Sequence, residues 1–82
     1  MNTGRWNICF SPVARRDKYQ IPRGEAALFR DAVAVLYNGR PADAKPVPAA
    51  LNTYVYSRNG YLIAFEVLAE IWTNRVLYFE RE

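Results

Sequence analysis

Arginine, lysine, tyrosine and carboxylate side chains are the groups with which this chain could do chemistry. Its 82 residues include no histidine and a single cysteine, Cys9. The missing histidine excludes His-based acid–base catalysis, and one cysteine without histidine leaves no zinc-binding set. We therefore expect no metal and no cofactor. Cys9 has no partner for an internal disulfide, and because it lies in the apolar run Trp6–Phe10 we expect it to be a small core residue rather than a reactive thiol.

Basic side chains concentrate in the first third of the chain. The net charge is +3, and residues 1–30 hold six basic side chains against two acidic ones. This distribution suits a nucleic acid or an acidic protein partner, and it equally suits a solvated helix face. We expect salt-dependent binding rather than chemistry from these residues. The candidate phosphate contacts are Arg15, Arg16, Lys18, Arg40 and Lys45.

Local signals predict the elements that position these groups in the first half of the chain. Arg5–Phe10 alternates between apolar and polar residues, which is typical of a strand. Ser11 is a favoured N-cap, and a helix is predicted from Pro12 to about Tyr19. A second helix is predicted from about Glu25 to Tyr37, because apolar residues recur at helical spacing and Asn38-Gly39 then provides a stop.

The second half of the chain reads as β structure after a proline-containing loop over residues 40–50. The order β-α-α-β-β-β predicts an α+β fold in which two helices pack on one face of an antiparallel sheet. We expect residues 1–82 to form a single domain, and we expect a cytoplasmic protein because no stretch approaches the ~18 apolar residues of a membrane span and no signal peptide is recognisable. The predicted strands and turns are Asn52–Arg58, a turn at Asn59-Gly60, Tyr61–Ile71, a turn at Thr73-Asn74, and Arg75–Arg81.

The Asn59-Gly60 turn predicts which side chains share a face of the sheet. Asn-Gly between two strand-like runs is typical of a two-residue hairpin turn, and the turn fixes the register of the pair. One face is then aromatic and apolar from Tyr54 to Val67, and we expect it to lie against the helices. The other face is nearly uncharged and partly apolar, so it is either a contact for a partner or a second copy of the chain, or it is shielded by the last strand and loop 40–50. The candidate contact residues on this second face are Val55, Leu62, Ala64 and Leu68.

The order of three short motifs resembles a known family. Phe10-Ser11-Pro12-Val13-Ala14-Arg15-Arg16-Asp17, Lys45-Pro46-Val47 and Gly60-Tyr61 match, in sequence order, motifs of the RelE/ParE superfamily of bacterial type II toxins. The chain resembles a divergent member over nearly its full length. This resemblance implies a toxin that is neutralised by a cognate antitoxin protein. In the RelE branch it implies cleavage of mRNA on the ribosome, and in the ParE branch it implies inhibition of DNA gyrase.

The chain departs from the RelE branch where the resemblance implies RNA chemistry. The strand before the turn usually carries basic residues on the open face, but this chain has Thr53, Val55 and Ser57 there. Leu62 stands where an arginine usually follows the turn tyrosine. RNA cleavage needs a base, an acid and cationic stabilisation of the phosphorane, which arginine, lysine and tyrosine must supply when histidine is absent. The remaining candidate catalytic residues are Arg58, Tyr78 and Arg81.

Three functions stay open on these observations. The first is a ribosome-dependent mRNA endonuclease with a degenerate or rearranged site. The second is a binding toxin without catalysis, acting on a gyrase-type target through the apolar face. The third is a small basic interaction or nucleic-acid-binding module unrelated to toxins.

Overall fold

The computed structural model describes residues 5–82, which form seven regular elements and three short 3-10 turns. The 3-10 turns are Arg23–Glu25, Val35–Asn38 and Ala69–Ile71. Among these residues no helix is long and apolar enough to cross a membrane. The regular elements are β1 (Asn7–Phe10), α1 (Pro12–Lys18), α2 (Ala26–Ala34), β2 (Lys45–Pro46), β3 (Thr53–Arg58), β4 (Tyr61–Leu68) and β5 (Thr73–Arg81).

The sheet has the strand order β1-β5-β4-β3-β2, with the helices packed on one face. The predicted α+β fold is confirmed, and so is the predicted hairpin, in which Arg58 pairs with Tyr61. Asn59 and Gly60 have φ angles of 56° and 82°, as a turn with two left-handed residues requires. One pairing differs from the fully antiparallel prediction: β1 runs parallel to β5, so the sheet is mixed. The two-residue β2 strand, inside the predicted loop, pairs with β3.

The core lies between the helices and the face of the sheet that carries Ile63 and Phe65, both fully buried. The ring of Phe29, on α2, lies 4.4 Å from the ring of Phe79 and 5.3 Å from that of Tyr61. Tyr56 reaches across the core and donates a hydrogen bond of 2.6 Å to the carbonyl of Ala32. Burial raises the pKa of Tyr56, because an ionised phenol would lack water there. The predicted assignment of the aromatic face to the helices therefore matches the observed burial.

Ser11 joins the start of α1 to an irregularity in β5. Its hydroxyl accepts a hydrogen bond from the Ala14 amide at 3.1 Å, as an N-cap does, and donates one of 2.6 Å to the Leu77 carbonyl. Leu77 is an extra residue in the pairing of β5 with β4 and forms a β-bulge. Because the bulge resets the alternation, Val76 and Phe79 both face the core while Tyr78 turns to the opposite face.

The connection between β4 and β5 differs from the sequence prediction. The chain turns over residues 69–72, where Trp72 is left-handed with a φ of 51°, and Thr73 and Asn74 lie inside β5. The predicted turn at Thr73-Asn74 is therefore wrong. Asn74 is fully buried, and its amide donates to the carbonyls of Leu36 and Gly39 at 2.9 and 3.2 Å. Asn74 is of a residue type that favours turns, but here it satisfies backbone carbonyls at the end of the 3-10 turn Val35–Asn38.

Cys9 also differs from its prediction as a core residue. In β1 it lies opposite Arg75 and is exposed, while its neighbours Ile8 and Phe10 pack against the core. The alternation of the strand was recognised from the sequence, but the cysteine falls on the solvent side of it.

Candidate functional site

The sheet face turned away from the helices, called the open face below, is assembled from all five strands. Residues that pair directly across strands project to the same side of a sheet, so the observed register assigns its members. Glu82 joins them, because its carboxylate accepts a hydrogen bond of 3.0 Å from the Ser57 hydroxyl. The open face comprises Asn7, Cys9, Lys45, Thr53, Val55, Ser57, Leu62, Ala64, Glu66, Leu68, Thr73, Arg75, Tyr78, Glu80 and Glu82.

Apolar side chains occupy the middle of the open face, as the sequence predicted. Val55, Leu62 and Leu68 are half-buried, and Tyr78 is 45% exposed. Ala64 departs from its predicted role as a contact residue, since it is only 2% exposed. It lies between Val55 and Tyr78 in one cross-strand row, and its single methyl group is covered by these longer side chains. The available contact surface is therefore the three aliphatic residues and the tyrosine.

The open face carries more negative than positive charge. Its cations are Lys45 and Arg75, and its carboxylates are Glu66, Glu80 and Glu82. Arg75 lies 3.6 Å from Glu66, so this pair compensates itself. The face thus has a net charge of −1, while the whole chain carries +3. A phosphate backbone approaching the open face meets no field of the kind that nucleic acid requires.

Arg58 and Arg81 both lie at the hairpin end of the sheet, but each is neutralised by a carboxylate. They occupy one cross-strand row on either side of Tyr61, which faces the core. An Arg58 Nη2 lies 3.1 and 3.2 Å from the two carboxylate oxygens of Asp43. Arg81 Nε lies 3.2 Å from Glu25. The positive charge of both arginines is therefore compensated inside the molecule.

Tyr78, the third candidate catalytic residue, is separated from these arginines. It pairs with Ala64 on the open face, whereas Arg58 and Arg81 share the row of the core residue Tyr61. The bulge in β5 is the cause, because it turns Tyr78 away from the core side. The structure thus places Arg58 and Arg81 in one row, two strand spacings or about 10 Å apart, and leaves Tyr78 on the other side of the sheet.

Glu25 organises a cluster that sequence reasoning did not find. Its Oε1 accepts a hydrogen bond of 2.7 Å from the Tyr61 hydroxyl and also forms the ion pair with Arg81. Arg81 also donates to the Gly60 carbonyl at 2.9 Å, and a Cβ on Gly60 would overlap its Nη1. Burial, and then the Glu25 carboxylate, raise the pKa of Tyr61. Tyr61 is therefore protonated and donates its hydrogen bond to Glu25 beside the Asn59-Gly60 turn. The Gly60-Tyr61 motif was the sequence signal for this cluster.

The predicted phosphate-binding residues fall into separate groups. Arg15, Arg16 and Lys18 lie on α1, on the helix side of the sheet, where Arg16 pairs with Asp17 at 3.3 Å. Lys18 places its Nζ 4.8 Å from the centre of the Phe10 ring. These residues do not continue onto the open face.

Arg40 and Lys45 are also apart, although both lie in the predicted loop. Arg40 donates a hydrogen bond of 2.8 Å to the Tyr54 hydroxyl and stacks over that ring. Lys45 pairs with Val55 and is the member of the predicted phosphate-binding set that lies on the open face. Within residues 5–82 no three His, Cys, Asp or Glu side chains are close enough to hold a metal ion.

A groove of about 620 Å³ runs between β1 and α2, on the helix side. Apolar side chains such as Ile8, Phe10, Phe29 and Val33 form its floor. β1 is the last strand of the sheet at this end, and the start of its outer edge is engaged by a hydrogen bond of 2.8 Å from the Trp6 amide to the Tyr37 carbonyl. No local sequence pattern indicates the groove, because its walls come from residues scattered over positions 5–37. The charged side chains on its rim are Arg5, Lys18, Arg30 and Asp31.

Comparison with solved structures identifies this architecture. A chain of a RelBE toxin–antitoxin complex from Mycobacterium tuberculosis matches with a TM-score of 0.79 at 24% sequence identity, covering 99% of this chain and 95% of that one. A chain of the intact Escherichia coli RelBE complex matches with a TM-score of 0.77 at 11% identity, covering 94% and 96%. The isolated Escherichia coli RelE toxin matches with a TM-score of 0.72 at 18% identity, covering 93% and 83%. This chain has the fold of RelE toxins. No protein-family model matches it, and no curated protein sequence matches it significantly.

On this RelE-type fold the chain presents two surfaces of different chemistry. The open face is apolar in the middle and acidic at the hairpin end. The groove beside β1 is apolar on its floor and mainly basic on its rim. These surfaces lie on opposite sides of the sheet, so each can meet a different partner.

Proposed function

We propose that this protein is the toxin of a toxin–antitoxin module and that it acts by binding its target rather than by cleaving RNA. The fold supports the first part, since the similar solved structures are described as RelE toxins and RelBE toxin–antitoxin complexes. The charge of the open face supports the second part, binding without RNA cleavage. Two cations face three carboxylates there, and one of the cations is paired.

The spacing of the reactive side chains also argues against phosphate chemistry. Lys45 and Tyr78 lie in one row of the open face, but β3 and β4 separate their strands. Three strand spacings amount to about 14 Å, so the two side chains are too far apart to act on one phosphate in this arrangement. Arg58 and Arg81 project to the other side and are neutralised by Asp43 and Glu25. On the open face of residues 5–82, Lys45 is the single cation without an ion pair, so no pair of cations is available there to stabilise a phosphorane.

The same face is suited to a protein contact. Leu62 and Val55 lie in adjacent rows of that face beside the exposed ring of Tyr78, and Leu68 lies at its opposite end, beyond the Glu66–Arg75 pair. Tyrosine is enriched among the residues that dominate binding energy at protein interfaces, because it combines apolar area with a polar tip. The proposed target contact is therefore the open face, with Leu62 and Tyr78 at its centre.

The groove beside β1 is the proposed docking site of the antitoxin. An extended antitoxin segment can add to the rest of the outer edge of β1, and its apolar side chains can cover Ile8 and Phe10. Acidic residues in that segment would meet Arg5, Lys18 and Arg30 on the rim. Neutralisation and target binding then use opposite sides of the sheet.

Induced expression in a bacterial host tests the proposal. Growth is followed while the 5′ ends of a translated mRNA are mapped. The test variant is Leu62→Asp, which places a charge on the central strand at the hairpin end of the open face. The matched control is Leu51→Asp, because Leu51 is 85% exposed and lies outside that face. Thermal unfolding of both purified variants shows whether they remain folded.

Growth arrest without new RNA ends, relieved by Leu62→Asp and unaffected by Leu51→Asp, is the expected result. DNA gyrase is then the first target to assay. New ends at in-frame codon positions that depend on translation would overturn the binding mechanism and return attention to Arg58, Tyr78 and Arg81. No arrest would overturn the assignment as a toxin and leave a binding module with a RelE-type fold.

A further inference from the structure

We infer that the partner of the open face is a basic amphipathic protein segment, whose arginine or lysine side chains pair with Glu80 and Glu82 while its apolar side chains cover Leu62 and Tyr78. This inference rests on the proposed function, because it names the chemistry of the partner bound at the same face. The contact region is the hairpin end of the open face, where Leu62 pairs with both Ser57 and Glu80.

The two carboxylates at this end are not neutralised by cations of the chain. Glu80 is exposed and forms no ion pair within residues 5–82, and the Glu82 carboxylate accepts a hydrogen bond from the neutral Ser57 hydroxyl. Asp31 and Glu70 likewise form no ion pair within the described residues, but several other carboxylates do. Glu25, Asp43 and Glu66 each lie within 3.6 Å of an arginine nitrogen. The negative charge is therefore left uncompensated beside the apolar centre of the open face.

Arg58 and Arg81, the cations in the neighbouring row of the sheet, do not cancel this charge. They share the row of Tyr61, which belongs to the core side, and each has its own carboxylate. The other cations of the open face, Lys45 and Arg75, lie outside the hairpin end, and Arg75 is paired with Glu66. An approaching segment at Leu62 thus meets apolar surface and negative charge together.

An arginine-bearing segment fits both features. A guanidinium can stack on the exposed Tyr78 ring and pair with the Glu80 carboxylate on the same strand, since Tyr78 and Glu80 project to the same side. The surface from β3 to β5 is about 10 Å wide, which matches the diameter of an α-helix. A helix with a leucine stripe flanked by arginines would cover it. Nucleic acid carries the same negative charge as Glu80 and Glu82 and is therefore disfavoured here.

Titration with designed peptides tests the inference. The probe is a synthetic helical peptide with a leucine stripe flanked by arginines, and its twin carries glutamate at every arginine position. Each is titrated into the full chain by calorimetry at low and high salt. The variant Glu80→Gln/Glu82→Gln removes the charges while keeping side-chain size. Glu70→Gln is the matched control, because Glu70 is also exposed, forms no ion pair within the described residues and lies beside the exposed Ile71 at the other end of β4.

The basic peptide is expected to bind at least about tenfold more tightly than its acidic twin, with affinity falling as salt rises. The double glutamine variant should lose about five- to tenfold in affinity and much of the salt dependence, while Glu70→Gln should leave both unchanged. Equal binding of the two peptides would overturn the inference, and so would unchanged affinity in the double glutamine variant.

The outcome is separable from that of the proposed function. If the chain arrests growth but the basic peptide does not bind the open face, the inference fails and the toxin assignment stands. If the peptide binds through Glu80 and Glu82 but expression causes no arrest, the toxin assignment fails and the chemistry of the face stands.

Discussion

Replacing Ser11 with alanine should destabilise the protein more than its small size suggests. The hydroxyl is buried and makes two hydrogen bonds, one with the Ala14 amide at 3.1 Å and one with the Leu77 carbonyl at 2.6 Å. Loss of an N-cap costs about 1 kcal/mol, and loss of the second bond, with a partly buried carbonyl left unpaired, costs about 1 kcal/mol more. We therefore expect Ser11→Ala to lower the free energy of unfolding by about 2 kcal/mol.

Urea unfolding at 25 °C measures this change, with thermal unfolding as a second readout. A loss of about 2 kcal/mol corresponds to a fall in Tm of about 10 °C for a domain of this size, with the urea m-value unchanged. Ser57→Ala is the control, because its exposed hydroxyl bonds only the Glu82 carboxylate, and it should cost less than about 0.5 kcal/mol. Equal effects of the two substitutions would refute the idea that Ser11 holds both the helix start and the bulge.

Three further changes test other parts of the structure. Gly60→Ala should destabilise by about 1 kcal/mol or more, because φ is +82° and the new methyl would displace the Arg81 guanidinium from the Gly60 carbonyl, whereas Gly24→Ala, with open space around it, should be nearly neutral in thermal unfolding. Tyr56 and Tyr61 should make stability fall as pH rises above 10, because burial raises their pKa values in the folded protein above 10.0 and the unfolded chain loses these protons first; a flat urea series above pH 10 would contradict this. Arg58→Ala should change stability by less than about 1 kcal/mol in urea unfolding, since its ion pair with Asp43 is exposed. A larger loss would show that Arg58 has a structural role beyond this pair.

Features set by neighbouring residues could be predicted from the sequence. The Asn59-Gly60 turn and the Ser11 cap depend on a few adjacent residues with strong conformational preferences, and both occur as predicted. Side chains alternate between the two faces along β3 and β4, and this alternation identified the open face, where β3 lacks basic residues. Features set by distant contacts could not be predicted. The parallel pairing of β1 with β5 joins segments about 66 residues apart, and no local pattern encodes it.

The candidate site shows the same division. Leu62 and Val55 lie on the open face as the alternation required, but the burial of Ala64 depends on the length of its cross-strand neighbours. Tyr78 faces outward because of a bulge that the sequence does not mark. Arg81 is neutralised by a glutamate that lies 56 positions earlier in the chain. Charge compensation of this kind appears only when the chain is folded.

The position of β5 inside the sheet has a consequence for how the protein is made. The last strand lies between the first strand and β4, so β1 has no neighbour in the sheet until β5 is present. During synthesis β1 cannot pair until residues about 66 positions later have been translated, and such long-range pairing is slow and leaves the unpaired segment prone to aggregation. A newly made chain should therefore depend on chaperones, or on a binding partner already present at the ribosome, until translation of β5 is complete. Truncation within β5 should abolish folding of the whole molecule rather than remove a single edge.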